Sequence, residues 1–361
     1  MDDRSALSAR GARLRVLGLT AYPETVASAR VRVLQFAPFL EDHGIDLVFS
    51  PSLRPDEYAT LSQSVPAPRK AAVLARSALR AASRRSRSTA LTLIHRLRLL
   101  TPLPGVDPPS RVDVYDLDDA LFLGSAAEVN RRFQWAKRET QRSVAYIERA
   151  RLVVAGNSFL ADQARRYGGR VEVVPSCVDP AIQPVRSHGD VDVVTIGWIG
   201  SHTTAVYLQP LLPVLARLNG SGLRARLVVV GADTGVRADW LEHRPWSLPR
   251  QADDLASFDI GVMPLPETDW ARGKCGYKVL QYFSAGVPAV ASPVGVTPAL
   301  ISDQRGALAA TDEAWYDALE QLIRDPAQRA GQGAAGRTLA EREYSYQRWA
   351  PELAGLLHSL A

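Results

Sequence analysis

The sequence is poor in cysteine and has no long apolar run. Its 361 residues include two cysteines, Cys177 and Cys275, whose separation matches neither a disulfide framework nor a zinc-ligand spacing. No stretch approaches the roughly 18–20 apolar residues of a membrane span. The N-terminal run MDDRSALSARGARLR lacks the apolar segment of a signal peptide. We therefore expect a cytoplasmic protein without structural disulfides.

The chain also lacks a histidine pattern for metal binding and an even spread of charge. None of the six histidines forms an i, i+4 pair, so a histidine-based metal site is not expected. The net charge is +5, yet no acidic residue occurs between Glu57 and Asp107. The basicity is therefore local. This gap holds nine cations: Arg69, Lys70, Arg76, Arg80, Arg84, Arg85, Arg87, Arg96 and Arg98.

The chain contains enough apolar material for two domains. A compact domain usually stops near about 250–300 residues, and 46% of this chain is apolar. Short β-rich runs alternate with helical patterns, and the alternation restarts after the proline-rich residues 175–190. We predict two Rossmann-like domains, residues 1–183 with a terminal helix at 346–361 crossing back, and residues 184–345. Ligands are expected in the interdomain cleft, at the carboxyl ends of strands.

Periodicity and turn residues locate the individual elements. Thr311 and Asp325 are predicted to cap two helices near the C-terminus. Helical spacing predicts further helices at 30–43, 69–88, 128–149, 204–218, 277–285 and 346–360. Apolar β-rich runs predict strands at 14–20, 46–50, 91–95, 112–116, 152–155, 171–174, 193–198, 226–230, 260–264 and 289–291.

The most informative loop begins at Arg272. Lys274 and Lys278 follow at spacings of two and four residues, and Gly273 and Gly276 let the backbone approach a ligand closely. A helix follows at once, so its free N–H groups and positive dipole end point into the same loop. Cations beside a glycine-rich helix start favour a diphosphate site. A basic surface loop that only caps the helix accounts equally well for these residue types.

Residues 279–292, VLQYFSAGVPAVAS, resemble the signature of glycosyltransferase family 4 in the GT-B superfamily. Residues 196–208, IGWIGSHTTAVYL, resemble the first strand, loop and helix of that family's donor domain, and residues 157–180 resemble the strand leading into its linker. A sub-branch with the pattern GKC..K..QY is the most similar. The resemblance implies a GT-B fold, an α/β protein whose first doubly wound domain binds the acceptor and whose second binds the nucleotide sugar.

The resemblance also assigns donor-binding residues, with departures from the family pattern. The signature has two glutamates eight positions apart, which correspond here to Gly273 and Gln281. An amide still exchanges hydrogen bonds with ribose hydroxyls, but without charge assistance. The loop after the first donor-domain strand has no permanent cation, so the diphosphate charge falls to Lys274 and Lys278. The expected donor-binding residues are Gly200, Ser201, His202, Thr203, Arg272, Gly273, Cys275, Gly276 and Gln281.

The loop after the predicted strand 112–116 contains three aspartates in the string Asp116-Leu-Asp118-Asp119. The string matches the D-x-D of metal-dependent GT-A transferases, but acids at a strand end also often cap a helix or stay solvated. The family resemblance places this loop opposite the donor. We expect Asp118 or Asp119 to contact the transferred sugar or to orient the acceptor hydroxyl, and we prefer this role to metal binding.

The loop after the first strand is the expected acceptor-side loop of the family. Ser28 stands at a predicted helix start, with Arg30 and Arg32 in the first turn. Cations are mildly unfavourable at a helix N-terminus, which points to an external anionic partner. Solvated arginines are an equally good interpretation.

Five arginines of the basic segment share one helical face. A basic amphipathic helix is typical of proteins that bind an anionic membrane surface. Because apolar bulk is low, such attachment would be electrostatic and sensitive to salt. A solvated arginine-rich face is the alternative. The five residues are Arg69, Arg76, Arg80, Arg84 and Arg87.

The resemblance implies transfer of a glycosyl group from a nucleoside-diphosphate sugar to an acceptor hydroxyl, with retention and without a metal or other cofactor. Lys274, Lys278, Asp118 and Asp119 are the expected catalytic residues, the lysines by stabilising the departing diphosphate. Two other classes stay open. The missing signature glutamates leave a non-catalytic nucleotide-sugar-binding partner, and a GT-B nucleotide-sugar epimerase or hydrolase is the other. Nucleic-acid binding is not expected, because no aromatics are interleaved with the clustered cations.

Overall fold

The computed structural model describes residues 13–83, 90–123, 138–302 and 304–361. The chain divides into two units. Among the described residues, the first unit contains those up to 123, then 138–174 and 349–361, and the second contains those from 175 to 348.

The first unit is built on a parallel sheet of six strands in the order β2-β1-β3-β4-β5-β6. Every residue of the fourth strand is buried, as expected for a parallel strand covered on both faces. The predicted strands of this half are confirmed, with shifts of one or two residues at some ends. The strands are β1 Leu14–Thr20, β2 Ile45–Pro51, β3 Leu91–His95, β4 Val112–Leu117, β5 Ala150–Ala155 and β6 Val171–Val173.

The helices of the first unit differ from prediction at one place. The single helix predicted over 30–43 is broken into two α-helices separated by a 3₁₀ turn at Leu34–Phe36. Val33 leaves the helical region, and Pro38 starts the second helix, where its missing N–H costs nothing. Of the helix predicted over 128–149, residues 128–137 lie outside the described part. The helices are α1 Ala27–Arg32, α2 Ala37–Glu41, α3 Pro55–Ser62, α4 Ala67–Ser83, α5 Glu139–Arg149 and α6 Ser158–Arg165.

The second unit has its own parallel six-stranded sheet, in the order β12-β11-β10-β7-β8-β9. Counted from the first strand of this unit, the order is that of a doubly wound nucleotide-binding sheet. The short edge strands β9 and β12 were not predicted, because neither carries an apolar run long enough to signal a strand. The strands are β7 Val194–Ile199, β8 Ala225–Val230, β9 Leu241–Arg244, β10 Ile260–Met263, β11 Ala289–Ala291 and β12 Gly306–Leu308.

The helices of the second unit confirm both predicted caps: the Thr311 hydroxyl accepts from the Ala314 N–H, and the Asp325 carboxylate accepts from the Gln328 N–H. The helix predicted over 204–218 is instead a 3₁₀ segment at Ala205–Leu211, which contains Pro210, followed by an α-helix. The helices are α7 Leu212–Gly220, α8 Gln251–Ala256, α9 Asp269–Arg272, α10 Tyr277–Ser284, α11 Thr297–Leu300, α12 Asp312–Arg324, α13 Pro326–Glu343 and α14 Tyr346–His358.

The end of the chain is attached to the first unit. Nε2 of His358 donates to the His43 carbonyl at 3.0 Å, and Arg170 donates to the Ser359 hydroxyl at 3.0 Å. In the described ranges, no helix has the length and apolar character needed to cross a bilayer.

Candidate functional site

In the second sheet, the strand order reverses between β7 and β10, which are neighbours. From β7 the chain moves to one side of the sheet, and from β10 it moves to the other. Loops at such a reversal open a crevice at the carboxyl ends of the strands, where ligands of doubly wound sheets bind. The loop that begins at Gly200 and the segment from 264 to 276 both lie at this edge.

Helix α10 begins at this edge, directly after its N-cap residue Gly276. This residue has a φ of 65°, a left-handed conformation that favours glycine. A Cβ there would lie 2.5 Å from Leu300 Cδ1, so space as well as backbone geometry requires glycine. The first turn of α10 therefore directs its free N–H groups and Lys278 to the same edge.

Lys278 brings the two loops together. Its ammonium lies over the indole of Trp198, 5.2 Å from the ring centroid. A Cβ on Gly200 would fall 2.9 Å from Lys278 Cε and 2.5 Å from the Trp198 ring, so only glycine allows this approach. The cation of α10, the aromatic end of β7 and the backbone after β7 thus form one cluster, the Lys278 cluster.

The other two cations of the loop differ from each other. Lys274 lies over the Trp270 ring, with its ammonium 5.1 Å from the centroid. Arg272 is exposed and pairs with Glu267 at 2.7 Å and Asp269 at 3.3 Å. Arg272 thus makes its contacts with carboxylates, and Lys274 contacts an aromatic ring.

The remaining predicted donor residues lie on or beside this edge. Ser201 and His202 are exposed, and the Ser201 hydroxyl is 2.8 Å from that of Thr203 within a tight turn. Gly273 is buried, and Cys275 is partly exposed. Gln281 is only 6% exposed inside α10, which leaves little of its surface for a ribose.

In the first unit, Asp118 and Asp119 are bridged by an arginine that follows β3. Arg96 donates through Nε to Asp118 at 2.5 Å and through Nη2 to Asp119. The φ of Arg96 is 56°, and a non-glycine residue in this region costs of order 1–3 kcal/mol. Among the described residues, no group of three or more His, Cys, Asp or Glu is arranged to hold a metal.

Asp116 precedes these two aspartates in the chain and is 2% exposed. It accepts from Arg32 at 3.1 and 2.5 Å and is 2.7 Å from Nδ1 of His95. Burial acts to raise the pKa of the Asp116 carboxyl, but Arg32 and His95 outweigh it, so the pKa lies below its usual range. For Asp118, Arg96 and His95 likewise outweigh burial and lower the pKa. Both carboxylates are therefore ionised at neutral pH.

The predicted acceptor-side residues are placed mainly in the protein interior. Arg32 is 2% exposed, and its guanidinium is shared between Asp116 and the Val174 carbonyl at 2.7 Å. Arg30 is also buried and donates to the Glu24 carbonyl at 2.8 Å. Ser28 is partly buried. The geometry gives Arg32 a structural part, since its charge is matched inside the unit, and it does not favour an anionic ligand there.

The arginines of the basic segment do not share one free face. On α4, Arg69 is exposed and the side chain of Arg76 is 57% exposed, but Arg80 pairs with Glu57 and donates to the Ser52 carbonyl. Arg76 and Arg80 both contact Glu57 on α3, so they lie on the same side of α4, but the guanidinium of Arg80 is turned inward and its side chain is 19% exposed. Arg84, Arg85 and Arg87 lie outside the described residues.

Several residues that contact Lys278, Lys274 or Asp118 are not among the site residues predicted from the sequence. His95 is the last residue of β3 and Arg96 directly follows it, and the rule that placed Asp118 after β4 also selects this strand end. Trp198 and Trp270 gave no signal, because an indole beneath a lysine is a tertiary contact without a fixed sequence spacing.

Comparisons with known proteins agree with this architecture. Residues 193–325 match the family model described as Glycosyl transferases group 1. No curated protein sequence matches the chain. Solved structures with similar folds include the sucrose-phosphate synthase of Thermosynechococcus elongatus, with 13% identity, a TM-score of 0.70 and coverage of 96% of this chain and 99% of that one.

Two further structures extend this likeness. WaaG, a glycosyltransferase involved in lipopolysaccharide biosynthesis, has 13% identity, a TM-score of 0.62 and coverage of 95% and 99%. Anabaena Alr3699/HepE in complex with UDP-glucose has 13% identity, a TM-score of 0.62 and coverage of 96% and 100%. At such identities the likeness establishes the fold. The chain has the GT-B fold of two Rossmann-like domains, and residues 193–325 of its second unit match the glycosyl transferases group 1 model.

Proposed function

We propose that this protein is a glycosyltransferase that moves a hexosyl group from a nucleoside-diphosphate sugar to an acceptor hydroxyl. The observation that carries the proposal is the Lys278 cluster, which lies at the start of α10 and within the matched segment 193–325. An ammonium beside a glycine and the N-terminus of a helix offers charge and backbone donors to one diphosphate.

In this proposal the second unit stabilises the leaving group. As the glycosidic bond breaks, negative charge grows on the diphosphate, and a fixed ammonium there lowers the barrier. The Trp198 ring orients Lys278 before the donor arrives, and Trp270 orients Lys274. In the first unit, Asp118 or Asp119 accepts a hydrogen bond from the acceptor hydroxyl.

Three finer features belong to the same proposal. UDP is the proposed nucleotide, because a similar structure was solved with UDP-glucose. Retention of configuration and independence of metal follow from the resemblance to family 4. NMR of the product anomer tests retention, and chelation by EDTA tests metal independence. An inverted product, or activity that EDTA abolishes and Mn²⁺ restores, would contradict them.

The central test is Lys278→Ala, assayed with labelled UDP-hexoses and a panel of hydroxyl acceptors. We expect kcat to fall about 10²–10³-fold, as when one preorganised oxyanion donor is removed. Lys70→Ala on α4 is the matched control, since Lys70 lies outside the site. Equal activity of both variants and the wild type would remove the diphosphate assignment.

A non-catalytic nucleotide-sugar-binding partner is the second candidate, favoured by Gly273 and Gln281 at the positions of the signature acids. Binding without turnover distinguishes it. Such a protein would show a higher melting temperature with UDP-hexoses but no transfer to any acceptor.

We also propose that α4 contacts an anionic membrane surface. Arg69 and Arg76 are exposed on this helix, and Leu79 is 71% exposed beside them. Vesicles with phosphatidylserine should bind the protein at low salt, and the change Arg69→Ala/Arg76→Ala should weaken this binding. Arg165→Ala/Arg166→Ala on another surface removes the same charge as a control. Equal binding by both double variants would exclude α4 as the contact.

A further inference from the structure

We propose that residues 183–190, the His188 segment, form a pH-sensitive switch. Neutral His188 holds the segment on the second unit, and protonation of His188 at mildly acidic pH loosens it. The segment precedes β7 in the chain, and its contacts lie near the amino ends of β7 and β10, whereas the Lys278 cluster lies at the carboxyl ends of the sheet. This switch is independent of the proposed transfer reaction.

The His188 segment is held in place by individual hydrogen bonds, because it contains neither helix nor strand. The Arg186 N–H donates to the Ala285 carbonyl at 2.8 Å, and Arg329 on α13 donates to the Gly189 carbonyl at 3.0 Å. Five of the eight residues in the segment are exposed. A segment with few buried apolar contacts opens locally at a low free-energy cost. A change in one buried contact therefore alters how often this segment opens.

His188 makes the buried contact of the segment. Its side chain is 2% exposed, and Nε2 donates to the Gly286 carbonyl at 2.8 Å. A Cβ on Gly333 of α13 would lie 2.0 Å from this carbonyl oxygen and 3.2 Å from Nε2, so the contact requires glycine at position 333. Because a carbonyl only accepts, Nε2 carries the proton of the neutral ring and Nδ1 carries none.

The second ring nitrogen of His188 is placed where a proton is poorly accommodated. Nδ1 is buried, has no hydrogen-bond partner in the described part of the chain, and lies 3.8 Å from Asp259 Oδ1. This carboxylate oxygen already accepts from Arg186 at 3.0 and 2.8 Å, and Oδ2 accepts from the Thr195 N–H at 2.8 Å. A proton on Nδ1 would therefore create a buried imidazolium beside an acid that is bound to other donors, which is costly.

The charged groups around His188 come from each element packed against it. Arg329 is 1% exposed, and within the described ranges its Nε also has no hydrogen-bond partner, so a buried cation is already present. Asp190 and Asp325 act in turn on the pKa of Arg329. The groups that act on His188 are Arg186 of the segment, Asp259 before β10 and Arg329 of α13.

The direction of the pH effect follows from these surroundings. Burial lowers the pKa of His188, and together with Arg329 and Arg186 it outweighs the Gly286 carbonyl and Asp259, which act to raise this pKa. The opened segment, with an ordinary histidine pKa near 6.5, therefore binds a proton more readily than the closed one. The contribution of His188 to closure is complete above about pH 6.5 and is lost as the pH falls through the lower pKa of the closed state.

Hydrogen exchange of the full chain measures opening of the segment directly. The amides of residues 183–190 are followed by mass spectrometry between about pH 7.5 and 5, with correction for the pH dependence of chemical exchange. The test variant is His188→Gln, whose amide still donates to a carbonyl but does not titrate. His358→Gln is the matched control, because His358 also donates through Nε2 to a carbonyl, that of His43 at 3.0 Å, but is exposed.

In the wild type and in His358→Gln, we expect opening of the segment to increase at least about threefold from the higher to the lower pH. In His188→Gln, opening should not depend on pH. NMR titration of the wild-type imidazoles is the second measurement, and it decides the question if His188→Gln does not fold: the pKa of His188 should lie below 6.5.

Two results would overturn the proposal. One is an equal increase of segment opening at low pH in the wild type and in His188→Gln. The other is a His188 pKa at or above 6.5, since the closed segment would then bind the proton at least as readily as the open one. Absence of glycosyl transfer would count against the proposed function and would leave both measurements unaffected.

Discussion

The arginines near Asp116–Asp119 in the first unit and the lysines of the second unit make different kinds of contact. In the first unit, Arg32 and Arg96 are matched by aspartates on the neighbouring strand end, so the cations serve the placement of the acids. In the second unit, Lys274 and Lys278 lie over indole rings, with their ammonium groups 5.1 and 5.2 Å from the ring centroids, and such a contact orients an ammonium. Carboxylates held by arginine can accept from hydroxyls, whereas an ammonium beside a helix N-terminus can bind an anion.

The largest expected effect tests this contrast through stability. Arg32→Leu should lower the free energy of unfolding by about 3–5 kcal/mol, because it leaves the Asp116 charge buried and unmatched. Lys278→Ala should lower it by about 2 kcal/mol at most, because it removes one cation–π contact with Trp198. Urea unfolding of both variants measures the difference. Similar losses of unfolding free energy in the two variants would contradict the assignment of Arg32 to a structural role and of Lys278 to ligand binding.

A smaller effect is expected from the ring beneath Lys278. Trp198→Leu should raise the UDP dissociation constant about tenfold, because a desolvated cation–π contact with Trp contributes up to about 2 kcal/mol. Trp198 is also buried, so the variant should lose stability.

Trp315→Leu separates the two consequences of this change. Trp315 is buried in the same hydrophobic core as Trp198, but it lies in α12, away from Lys278. It should lose stability without weaker UDP binding in calorimetry. Weaker binding in both tryptophan variants would show that Trp198 acts through packing alone.

The sequence predicts the fold, and it singles out one residue of each candidate site. Buried parallel strands carry continuous apolar runs, so β3, β4 and β11 could be located from composition alone. Lys278 was found because a cation and glycines precede a helix. Asp118 was found because it follows a strand.

The sequence alone does not show which side chains contact each other in the folded chain. Arg96 stands 22 residues from Asp118 and reaches it only because β3 and β4 are neighbours in the sheet. From the sequence, Arg32 is predicted to bind an anionic ligand. Its actual partner, Asp116, lies 84 residues further along the chain and cannot be recognised from spacing. Charge matching is a property of register and packing, which a single sequence does not display.

A pH series sharpens the contrast within the first unit. The folded pKa of Asp116 is below its usual range, so its stabilising effect is complete above the unfolded pKa near 3.9 and is lost as pH falls through the folded value. In Arg32→Leu, burial should instead raise this pKa, with His95 and Asp118 the other groups that face it. The wild type should therefore lose stability as pH falls below the unfolded pKa near 3.9, while the variant gains relative to it. Urea unfolding at several pH values would show the two curves converging; parallel curves would mean that Asp116 does not titrate as argued.

The smallest expected effect concerns Arg272, which pairs with carboxylates as the first-unit arginines do. It is about half exposed and paired with Glu267 and Asp269, and exposed pairs contribute about 0–1 kcal/mol. Arg272→Ala should therefore leave the UDP-hexose dissociation constant within about fivefold of the wild type, whereas Lys274→Ala should raise it further. Calorimetric titration of the two variants under one salt condition decides the order. If Arg272→Ala is the more damaged, the arginine exchanges its carboxylates for the diphosphate when the donor binds, and pairing in the free protein does not identify which cations serve the ligand.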